Sequence, residues 1–423
     1  MSIALAISLA IFAVIAVREW LPPAIRIWHV MALGAAAMLA SGQISPRDAF
    51  DAIDWNIILY LFGVFAIGHA LFTSGVSQLI AERLALLRSP TASMAAFVLI
   101  FALLSAVVTN DAAAIIGTPI AFVLAHQTRT DARLFLIALC VTVTVGSMTT
   151  PIGNPQNLLI AASGRVPAPV LTFLLWLLVP TIVSLAIAVW WLSRGLSPAG
   201  AGAAAEVPAG AAALAAGEGG RIWPPVLAVI LLAVLVVGES LAAAIEPRYG
   251  FPLGYAAAVA CLPVFLFGRG RRQTFLHLDW ATLVFFVAMF VVTGALVQSG
   301  SLQALLGDLR DRMTEPPVTA AIAFAGSQVF SNVPLVDMYL KLLTGFSTAN
   351  LMMLAAVSTL AGNVFIISAA SNVIVLQMAE RLRGPSIGFS RFTLAVLPIG
   401  IVSTLLTVGW ILLLDGLAFD SLG

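Results

Sequence analysis

The sequence predicts an all-α polytopic membrane protein, an inverted repeat of two five-helix halves that each contain a re-entrant hairpin and a discontinuous helix. Three observations support this prediction: an apolar composition, long apolar runs, and motifs that recur in the same order. Of the 423 residues, 61% are hydrophobic and 9% are charged, and the mean hydropathy is +1.07. Because soluble proteins carry about 25% charged residues, most of this surface is expected to face lipid.

Ten apolar runs are predicted to cross the bilayer, whose hydrocarbon core requires about 20 apolar helical residues. They are residues 2–17, 27–42, 55–73, 133–150, 168–193, 223–245, 252–268, 279–298, 351–367 and 392–414. Two further regions, 92–126 and 317–345, are apolar but contain polar residues in the middle. Each arm has about 15 residues, or roughly 22 Å of helix, so both regions are predicted to be re-entrant hairpins with buried tips.

The chain is predicted to consist of a first half, 1–194, a flexible linker rich in Ala and Gly, 195–222, and a second half, 223–423. One helix in each half is expected to be broken by polar residues, at 133–162 and at 351–380. Prolines and glycines in the first of these regions cannot continue an α-helix, and the flanking runs are too short to cross the bilayer alone.

Lys and Arg residues orient the chain, because cytoplasmic segments carry an excess of them. With both termini outside, the inner segments hold 14 of these residues and the outer segments hold 6. A multi-pass protein of the plasma (inner) membrane is therefore predicted. The first run, 2–17, has neither a basic start nor a small-residue cleavage site after it, so we expect a retained helix rather than a signal peptide.

Four features recur in the same order in the two halves. Residues 54–75 and 279–300 both begin with Asp-Trp and end with Ser-Gly, and each is followed by an amphipathic stretch. A polar hairpin tip and a polar helix break come next. The tips are Thr109-Asn110 and Ser331-Asn332, and the breaks are Gly153 to Asn157 and Ser368 to Asn372. Any two apolar helices can look alike, but four features in order favour an inverted repeat, which is typical of secondary transporters.

The tips and the breaks supply the candidate binding residues. Asn, Ser and Thr side chains and unwound carbonyls are oxygen ligands suited to Na⁺, while helix N-termini attract anions. The predicted substrate-binding residues are Thr109, Asn110, Asn154, Asn157, Ser331, Asn332, Ser371 and Asn372. The predicted coupling-ion residues are Asn110, Asp111, Gly153, Asn154, Asn332 and Asp337. The alternative is that the asparagines only cap helices or join them.

Asp111 and Asp337 are the acids placed deepest in the apolar regions, where acidic residues usually mark ion or proton pathways. Asp111 could ligate a cation or carry a proton. Asp337 precedes Lys341 by four residues, so the two could form a purely structural ion pair. His69 could be a proton-linked group or a hydrogen-bond donor between helices.

No other chemistry is indicated by the sequence. The net charge of +1 argues against a nucleic-acid partner, and no nucleophile, base or metal-ligand set predicts an enzyme. Cys140 and Cys261 lie in apolar runs, so neither a disulfide nor a cysteine metal site is expected. No cofactor is expected beyond Na⁺ or H⁺ as the coupling ion. The expected partners are a small anionic or oxyacid substrate and the lipid bilayer.

These motifs resemble the ion transporter superfamily, which contains arsenite permeases, NhaD-type sodium/proton antiporters and divalent anion/sodium symporters with a citrate-transporter-like domain. The Asn-Asp-Ala-Ala-Ala…Thr-Pro run at 110–119 is most similar to the arsenite-permease and NhaD branch. The Thr-Asn and Ser-Asn tips resemble the Ser-Asn-Thr motifs of the symporters. Asp111 and Val333 depart from that pattern, since they stand where the family has Thr.

The resemblance covers most of the chain and implies a scaffold domain that forms a homodimer and a transport domain that moves as an elevator. It implies one half-site formed by Thr109, Asn110, Gly153, Asn154 and Asn157. It implies a second half-site formed by Ser331, Asn332, Ser371 and Asn372. The departure at Asp111 and Val333 predicts an asymmetric site with its acid on the first-half side.

Three transport functions are compatible with these observations. The first is secondary transport of an anion, either a di- or tricarboxylate or an inorganic oxyanion, coupled to Na⁺ or H⁺. The second is efflux of arsenite or antimonite in exchange for protons. The third is Na⁺/H⁺ antiport without an organic substrate.

Overall fold

The computed structural model describes residues 2–16, 26–87, 89–196, 207–208, 210–211, 221–307, 312–364 and 369–420. Within these residues the regular structure is helical, and they contain no strand. The predicted all-α class is therefore confirmed. Most of the predicted linker 195–222 lies outside the described residues, and so does Ser368 of the second predicted break.

The first half contains ten described helices. They are α1 (Ile3–Ala16), α2 (Ile27–Ala40), α3 (Pro46–Ala52), α4 (Trp55–Thr73), α5 (Val76–Leu84), α6 (Pro90–Val107), α7 (Asn110–Thr128), α8 (Ala132–Ser147), α9 (Pro155–Ala162) and α10 (Pro169–Ser193).

The second half contains eleven described α-helices and two short 3-10 turns, Pro247–Tyr249 and Ala361–Asn363. The helices are α11 (Trp223–Ile245), α12 (Leu253–Ala260), α13 (Leu262–Phe267), α14 (Arg271–Leu276), α15 (Trp280–Gln298), α16 (Ser301–Leu306), α17 (Pro316–Phe330), α18 (Asn332–Leu342), α19 (Thr348–Leu360), α20 (Ala370–Arg381) and α21 (Phe389–Asp420).

Six described segments are long and apolar enough to cross a membrane. They are Trp55–Thr73, Pro90–Val107, Pro169–Ser193, Trp223–Ile245, Arg271–Gln298 and Phe389–Leu417. Four shorter apolar segments accompany them, namely Ile3–Ile15, Ile27–Ala40, Ala132–Ser147 and Leu253–Phe267. The lengths and composition agree with a multi-pass membrane protein. The opposite orientation of the two halves in the bilayer stays a prediction.

The recurrent Asp-Trp pair marks the beginning of the same helix in each half. Asp54 Oδ1 accepts a hydrogen bond from the Ile57 backbone N–H at 3.1 Å and caps α4. Asp279 Oδ1 accepts one from the Thr282 N–H at 3.0 Å and caps α15. An Asp at this position satisfies a backbone donor that would otherwise have no helical partner. The repeat in sequence therefore has a local structural cause.

Both predicted hairpins are pairs of helices separated by one or two residues. Val108 and Thr109 separate α6 from α7, and Ser331 alone separates α17 from α18. Thr109 Oγ1 accepts a hydrogen bond from the Ala112 N–H at 3.3 Å, which starts the second arm. Ser331 has φ 67° and ψ 156°, a conformation almost restricted to glycine that costs about 1–3 kcal/mol.

The first predicted helix break is present, although its predicted residues Pro155 to Asn157 belong to α9. The second predicted break lies partly outside the described residues, and its residues Ala370 to Asn372 begin α20. Residues 148–154 separate α8 from α9, and the run predicted to reach residue 367 ends as α-helix at Leu360. The predicted single span 252–268 is divided at Cys261, because Pro263 has no N–H to continue the hydrogen-bond ladder. The short helices α3 and α14 were not predicted, since neither belongs to a long apolar run.

The broken helices of the two halves pack crosswise. In the first half, α9 packs against α18, the second arm of the other hairpin. In the second half, α20 packs against α7, the second arm of the first hairpin. The preceding segments α8 and α19 also contact each other. This arrangement brings both tips and both breaks into one buried region, which α4 borders through its contacts with α7 and α9 and which α15 borders through its contact with α18.

Candidate ion and substrate site

The first hairpin tip is bonded directly to the first helix break. The Asn110 N–H, at the start of α7, donates to the Gly153 carbonyl at 2.9 Å. One turn before the tip, the Ala106 carbonyl accepts a hydrogen bond from Thr150 Oγ1 at 2.5 Å. The N-termini of α7 and α9 therefore lie close together, as the predicted first half-site requires.

Asn154 and Asn157 hold the first break in shape. Asn154 Oδ1 caps α9 by accepting the Asn157 N–H at 2.9 Å. The Asn157 amide donates to three carbonyls at the end of α8 and in the break, those of Ser147, Met148 and Thr150, at 3.1, 3.3 and 3.0 Å. Asn157 is fully buried, so these bonds supply the partners that interrupted backbone needs inside a membrane protein.

Asn372 performs the equivalent task in the second break. Its amide donates to the Gly362 carbonyl at 3.0 Å, ten residues back along the chain. Asn157 donates to the Ser147 carbonyl across the same ten-residue separation. Both asparagines are the third residue of the helix that follows the break. The two predicted half-sites thus share one local design.

Gly362 is the residue around which the second half-site is built. A Cβ atom there would lie 3.0 Å from the Ala369 Cβ, 3.5 Å from Asn332 Nδ2 and 3.7 Å from Thr144 Cγ2. The tip of the second hairpin, the start of α20 and α8 of the first half all approach this position. Because Gly362 has no side chain, these elements can approach its backbone closely.

Thr359 connects the two half-sites. Its hydroxyl accepts a hydrogen bond from Asn154 Nδ2 and another from Gln156 Nε2, both at 3.2 Å, and donates to the Ala355 carbonyl at 2.7 Å. The sequence analysis missed Thr359 and Gln156. A signal was present, because Thr359 stands 13 residues before Asn372 and Thr144 stands 13 residues before Asn157 (372 − 359 = 157 − 144).

The site contains an unusual concentration of buried polar atoms without a hydrogen-bond partner. Among the described residues, 7 of 19 such side-chain atoms belong to this region (Asp111 Oδ1, Asn157 Oδ1, Asn332 Oδ1, both amide atoms of Asn363, Ser371 Oγ and Asn372 Oδ1). Buried polar groups are normally hydrogen-bonded. A cluster of partnerless oxygen atoms beside helix N-termini is the arrangement expected where a bound ion or substrate completes the coordination.

Asn363 is a further buried polar residue of this region that the sequence patterns do not single out. It is fully buried in the 3-10 turn after α19, next to Gly362, and neither its Oδ1 nor its Nδ2 has a partner among the described residues. Five of the seven partnerless atoms belong to Asn332, Asn363, Ser371 and Asn372, which all lie in the second half. The second half, which has Val333 at the position of Asp111, therefore contributes more of the buried polar atoms without a partner than the first half does.

Asp337 lies apart from this group. Its carboxylate forms an ion pair with Lys341 Nζ at 2.8 Å and also accepts a hydrogen bond from the Thr293 hydroxyl on α15. Lys341 Nζ lies 2.9 Å from Thr293 Oγ1 and 5.2 Å from the centroid of the Phe290 ring. The ion pair suggested by the spacing is present, and the structure does not bring Asp337 together with the predicted coupling-ion asparagines.

His69 of α4 stacks on His277, which precedes α15. The two ring centroids are 5.8 Å apart and the planes differ by 3°. His69 of the recurrent helix in the first half thus contacts the segment that precedes the recurrent helix in the second half.

Comparison with known proteins places the chain among transporters. Residues 9–349 match the model of the citrate transporter family, CitMHS. An uncharacterized transporter of Synechocystis sp. (strain ATCC 27184 / PCC 6803 / Kazusa) is 28% identical over 224 residues, which covers 44% of this chain and 48% of that protein. The match thus spans about half the length of this curated relative.

A solved structure is similar at low identity. The YdaH transporter of Alcanivorax borkumensis, described as having an unusual topology, is 16% identical, with a TM-score of 0.48 over 85% of this chain and 83% of that chain. The family match covers well over half of the 423 residues and agrees with the apolar helices described above. The chain belongs to the citrate transporter family.

Proposed function

We propose that this chain is a secondary active transporter that moves a di- or tricarboxylate anion, with citrate as the first candidate, in symport with a cation. The family description supports a carboxylate substrate. The observation that carries the proposal is a set of partnerless amide oxygens between two pairs of helix N-termini. The starts of α7 and α9 are hydrogen-bonded, those of α18 and α20 both lie beside Gly362, and the Asn154–Thr359 bond joins the two half-sites. N-termini attract anions and amide oxygens attract alkali cations, so one region could hold both ligands.

The anion is assigned to the N-termini. The backbone N–H groups of the first turn of a helix have no helical acceptor, and their dipoles give that end a partial positive charge. Asn110 begins α7 and Asn332 begins α18, so both hairpin tips present a positive dipole end from opposite halves. The first three N–H groups of α7 already bond to the Gly153 carbonyl, Asn110 Oδ1 and Thr109 Oγ1, so this tip contributes its dipole rather than free donors. In this proposal a substrate with several carboxylate groups bridges the two tips.

The coupling cation is assigned to the second half-site. Asn332 Oδ1, Asn363 Oδ1 and Asn372 Oδ1 are buried and lack partners, and each belongs to a residue beside Gly362 or bonded to it. Neutral oxygen ligands suit Na⁺, and they would not hold a proton at ordinary pH. Na⁺ is therefore the favoured coupling ion here, although H⁺ remains the other candidate because of Asp111.

An elevator movement of a homodimer is part of the proposal. The crosswise packing of α9 on α18 and of α20 on α7 joins both hairpins and both breaks into one unit that could move as a body. Exposed apolar residues on the helices outside this unit, such as Leu175 and Val234, could face lipid or a second protomer.

A Na⁺/H⁺ antiporter without an organic substrate is the second candidate. The observation that favours it is Asp111, whose Oδ1 is buried without a partner at the first tip, where a titratable carboxylate could alternate between a proton and Na⁺. Efflux of arsenite is the third candidate and would use the same polar breaks for a neutral oxyacid.

Transport assays in proteoliposomes separate these candidates. Radiolabelled citrate should accumulate when Na⁺ is added outside, and the accumulation should collapse when the Na⁺ gradient is dissipated. Sulfate, succinate and arsenite are tested in parallel. If none of these substrates accumulates while a Na⁺ gradient still drives proton movement, the antiport function replaces the proposed one.

Variants in the second half-site test the cation assignment. Asn363→Ala and Asn332→Ala should raise the Na⁺ concentration needed for half-maximal citrate uptake by about tenfold or more, since each removes an oxygen ligand. Gln78→Ala serves as the control, because Gln78 is exposed on α5 and only bonds Glu82. Unchanged Na⁺ dependence in Asn363→Ala would remove Asn363 from the cation site.

A further inference from the structure

A second buried acid lies outside the site described above. Glu239 is in the last third of α11, with only 8% of the residue exposed, and its Oε2 is buried without a hydrogen-bond partner. A carboxylate inside a transmembrane helix is expensive unless a charge or a polar cavity compensates it. Its neighbour Ser240 has a separate structural role, since its hydroxyl accepts the Val170 and Leu171 N–H groups at the start of α10.

Glu239 borders a cavity of about 620 Å³. The cavity lies where α9 leads into α10, where α11 ends and where α4 and α12 begin. Its polar lining consists of Asp54, Asn56, Arg165 and Glu239, and the remainder is formed by small or apolar residues and by exposed backbone of the connecting segments. This region belongs neither to the hairpin tips nor to the helix breaks.

Neither carboxylate of this cavity is directly paired with a cation in the described part of the chain, and Lys341, which acts on Asp54 at longer range, is itself paired with Asp337. No ion pair within 4.0 Å is formed by Asp54 or by Glu239. Arg165 borders the same cavity, but its Nη1 donates to the Leu343 carbonyl at 3.2 Å and its guanidinium lies 5.3 Å from the Phe346 ring centroid. Its charge is therefore directed towards the segment after α18 rather than towards the acids.

We propose that this cavity is a binding site for a hydrated divalent cation, held by Glu239 and Asp54. Two carboxylates supply the charge that such an ion needs. A cation such as Mg²⁺ gives up its water reluctantly and is commonly held by one or two carboxylates with several waters retained. At about 30 Å³ per water, the cavity has room for the ion and its first hydration shell. Asn56 and the backbone carbonyls of the lining can accept hydrogen bonds from the bound waters.

The position of the cavity gives the site a structural consequence. The segment between α9 and α10 contains Ala168, whose φ of 41° is unusual for a residue other than glycine. This segment joins α9, which belongs to the crosswise-packed unit, to α10. A cation bound by both Glu239 and Asp54 would hold α11 and the start of α4 together. The connection between α9 and α10 borders the same cavity.

Binding of Mn²⁺ to the purified full-length protein in nanodiscs tests the proposal. Electron paramagnetic resonance should report a saturable Mn²⁺ site that Mg²⁺ displaces and that equal concentrations of Na⁺ do not. Glu239→Gln and Asp54→Asn should each weaken Mn²⁺ binding by about 10–100-fold, the usual effect of losing a carboxylate that acts through ordered ligands. Both substitutions keep the side-chain shape, and Asn can still cap α4.

Two further variants make the outcome decisive. Glu246→Gln changes a nearby acid that does not border the cavity, so its Mn²⁺ affinity should equal that of the unaltered protein. Ala243→Lys places a fixed cation in the cavity wall and should abolish Mn²⁺ binding without removing either carboxylate. Equal Mn²⁺ binding in the unaltered, Glu239→Gln and Ala243→Lys proteins would overturn the proposal, as would displacement by Na⁺ alone. The measurement needs neither substrate nor gradient, so its failure leaves the proposed transport function untouched.

Discussion

At the scale of single residues, the polar groups of the breaks divide into those that hold the backbone and those that are left open. The Asn157 amide nitrogen satisfies three carbonyls, whereas its Oδ1 has no partner in the described structure. The Asn372 amide nitrogen satisfies one carbonyl, and its Oδ1 is likewise open. A single asparagine can thus stabilise an interrupted helix with one atom and offer a ligand with the other.

The two equivalent asparagines should differ in their contribution to stability. Asn157→Ala removes three hydrogen bonds to backbone carbonyls, and Asn372→Ala removes one. At about 1 kcal/mol for each lost bond, Asn157→Ala should lower the free energy of unfolding by about 2–4 kcal/mol and Asn372→Ala by about 1 kcal/mol. Thermal unfolding in detergent measures the difference. Equal loss in both variants would contradict the assignment of the three bonds.

The Asp337–Lys341 pair should behave as a structural ion pair. Asp337 has 5% of its side chain exposed and Lys341 has 27%, so removing one partner leaves a poorly solvated charge. Asp337→Asn or Lys341→Met alone should therefore destabilise the protein by about 3–5 kcal/mol, and the double variant should recover much of this loss. Citrate uptake by the double variant provides the second measurement. Loss of Na⁺ coupling at preserved stability would instead assign Asp337 to ion transfer.

At the scale of helices, the contact between α4 and α12 depends on two glycines. A Cβ atom at Gly63 would lie 2.6 Å from the Ala257 carbonyl oxygen, and one at Gly254 would lie 2.5 Å from the Asn56 carbonyl oxygen. The Gly254 N–H also donates to Asn56 Oδ1 at 2.7 Å. Small residues of this kind allow helix backbones to approach closely inside a membrane, where dispersion contacts and hydrogen bonds drive helix association.

Larger side chains at this crossing should separate the two helices. Gly63→Val and Gly254→Val should each cost about 1–3 kcal/mol or more, because the nearest atoms belong to rigid backbone. Gly238→Val on α11 is the matched control, since no heavy atom lies within 4 Å of a Cβ built there. The melting temperature in detergent should fall for the first two variants and stay nearly unchanged for the third. A similar fall at Gly238 would show that glycine replacement itself is the cause.

Helix boundaries were largely predictable because their causes are local. Proline at 155 and the caps at Asp54 and Asp279 act within one turn of helix, and each gave a readable signal. The division of the predicted span at Cys261 was missed because continuous hydrophobicity concealed the effect of Pro263. Asn363 was missed because its sequence neighbours are apolar, and only the packing of its 3-10 turn against Gly400 of α21 reveals its buried position.

At the scale of the whole molecule, the broken helix of each half packs against a hairpin arm of the other half. The segment α9 needs α18, and α20 needs α7, while Asn154 reaches Thr359 across 205 residues of sequence. Buried polar groups in these contacts would be unsatisfied if either half folded alone. The site is therefore a property of the assembled chain rather than of either half.

Chain cleavage between residues 196 and 221 should test this interdependence. The two fragments, expressed separately, should be degraded or aggregate, because α9 and α20 lose the arms against which they pack. Co-expressed fragments should assemble, co-purify through a tag on one of them and support citrate uptake in proteoliposomes. Independent folding of one fragment, measured by protease resistance and a cooperative melting transition, would contradict the crosswise organisation.

The membrane class, the two helical hairpins and a polar break between α8 and α9 were predictable from the sequence. These follow from composition, from the length of apolar runs and from residues that act on their immediate neighbours. Three features became visible only in the folded molecule: Thr359 joins the half-sites, Asp337 is paired with Lys341 and Thr293, and Glu239 borders a cavity. The physical reason is that these hydrogen bonds and this burial depend on contacts between segments that are far apart in the chain. A local sequence pattern predicts the conformation of each segment but does not predict which segments contact each other.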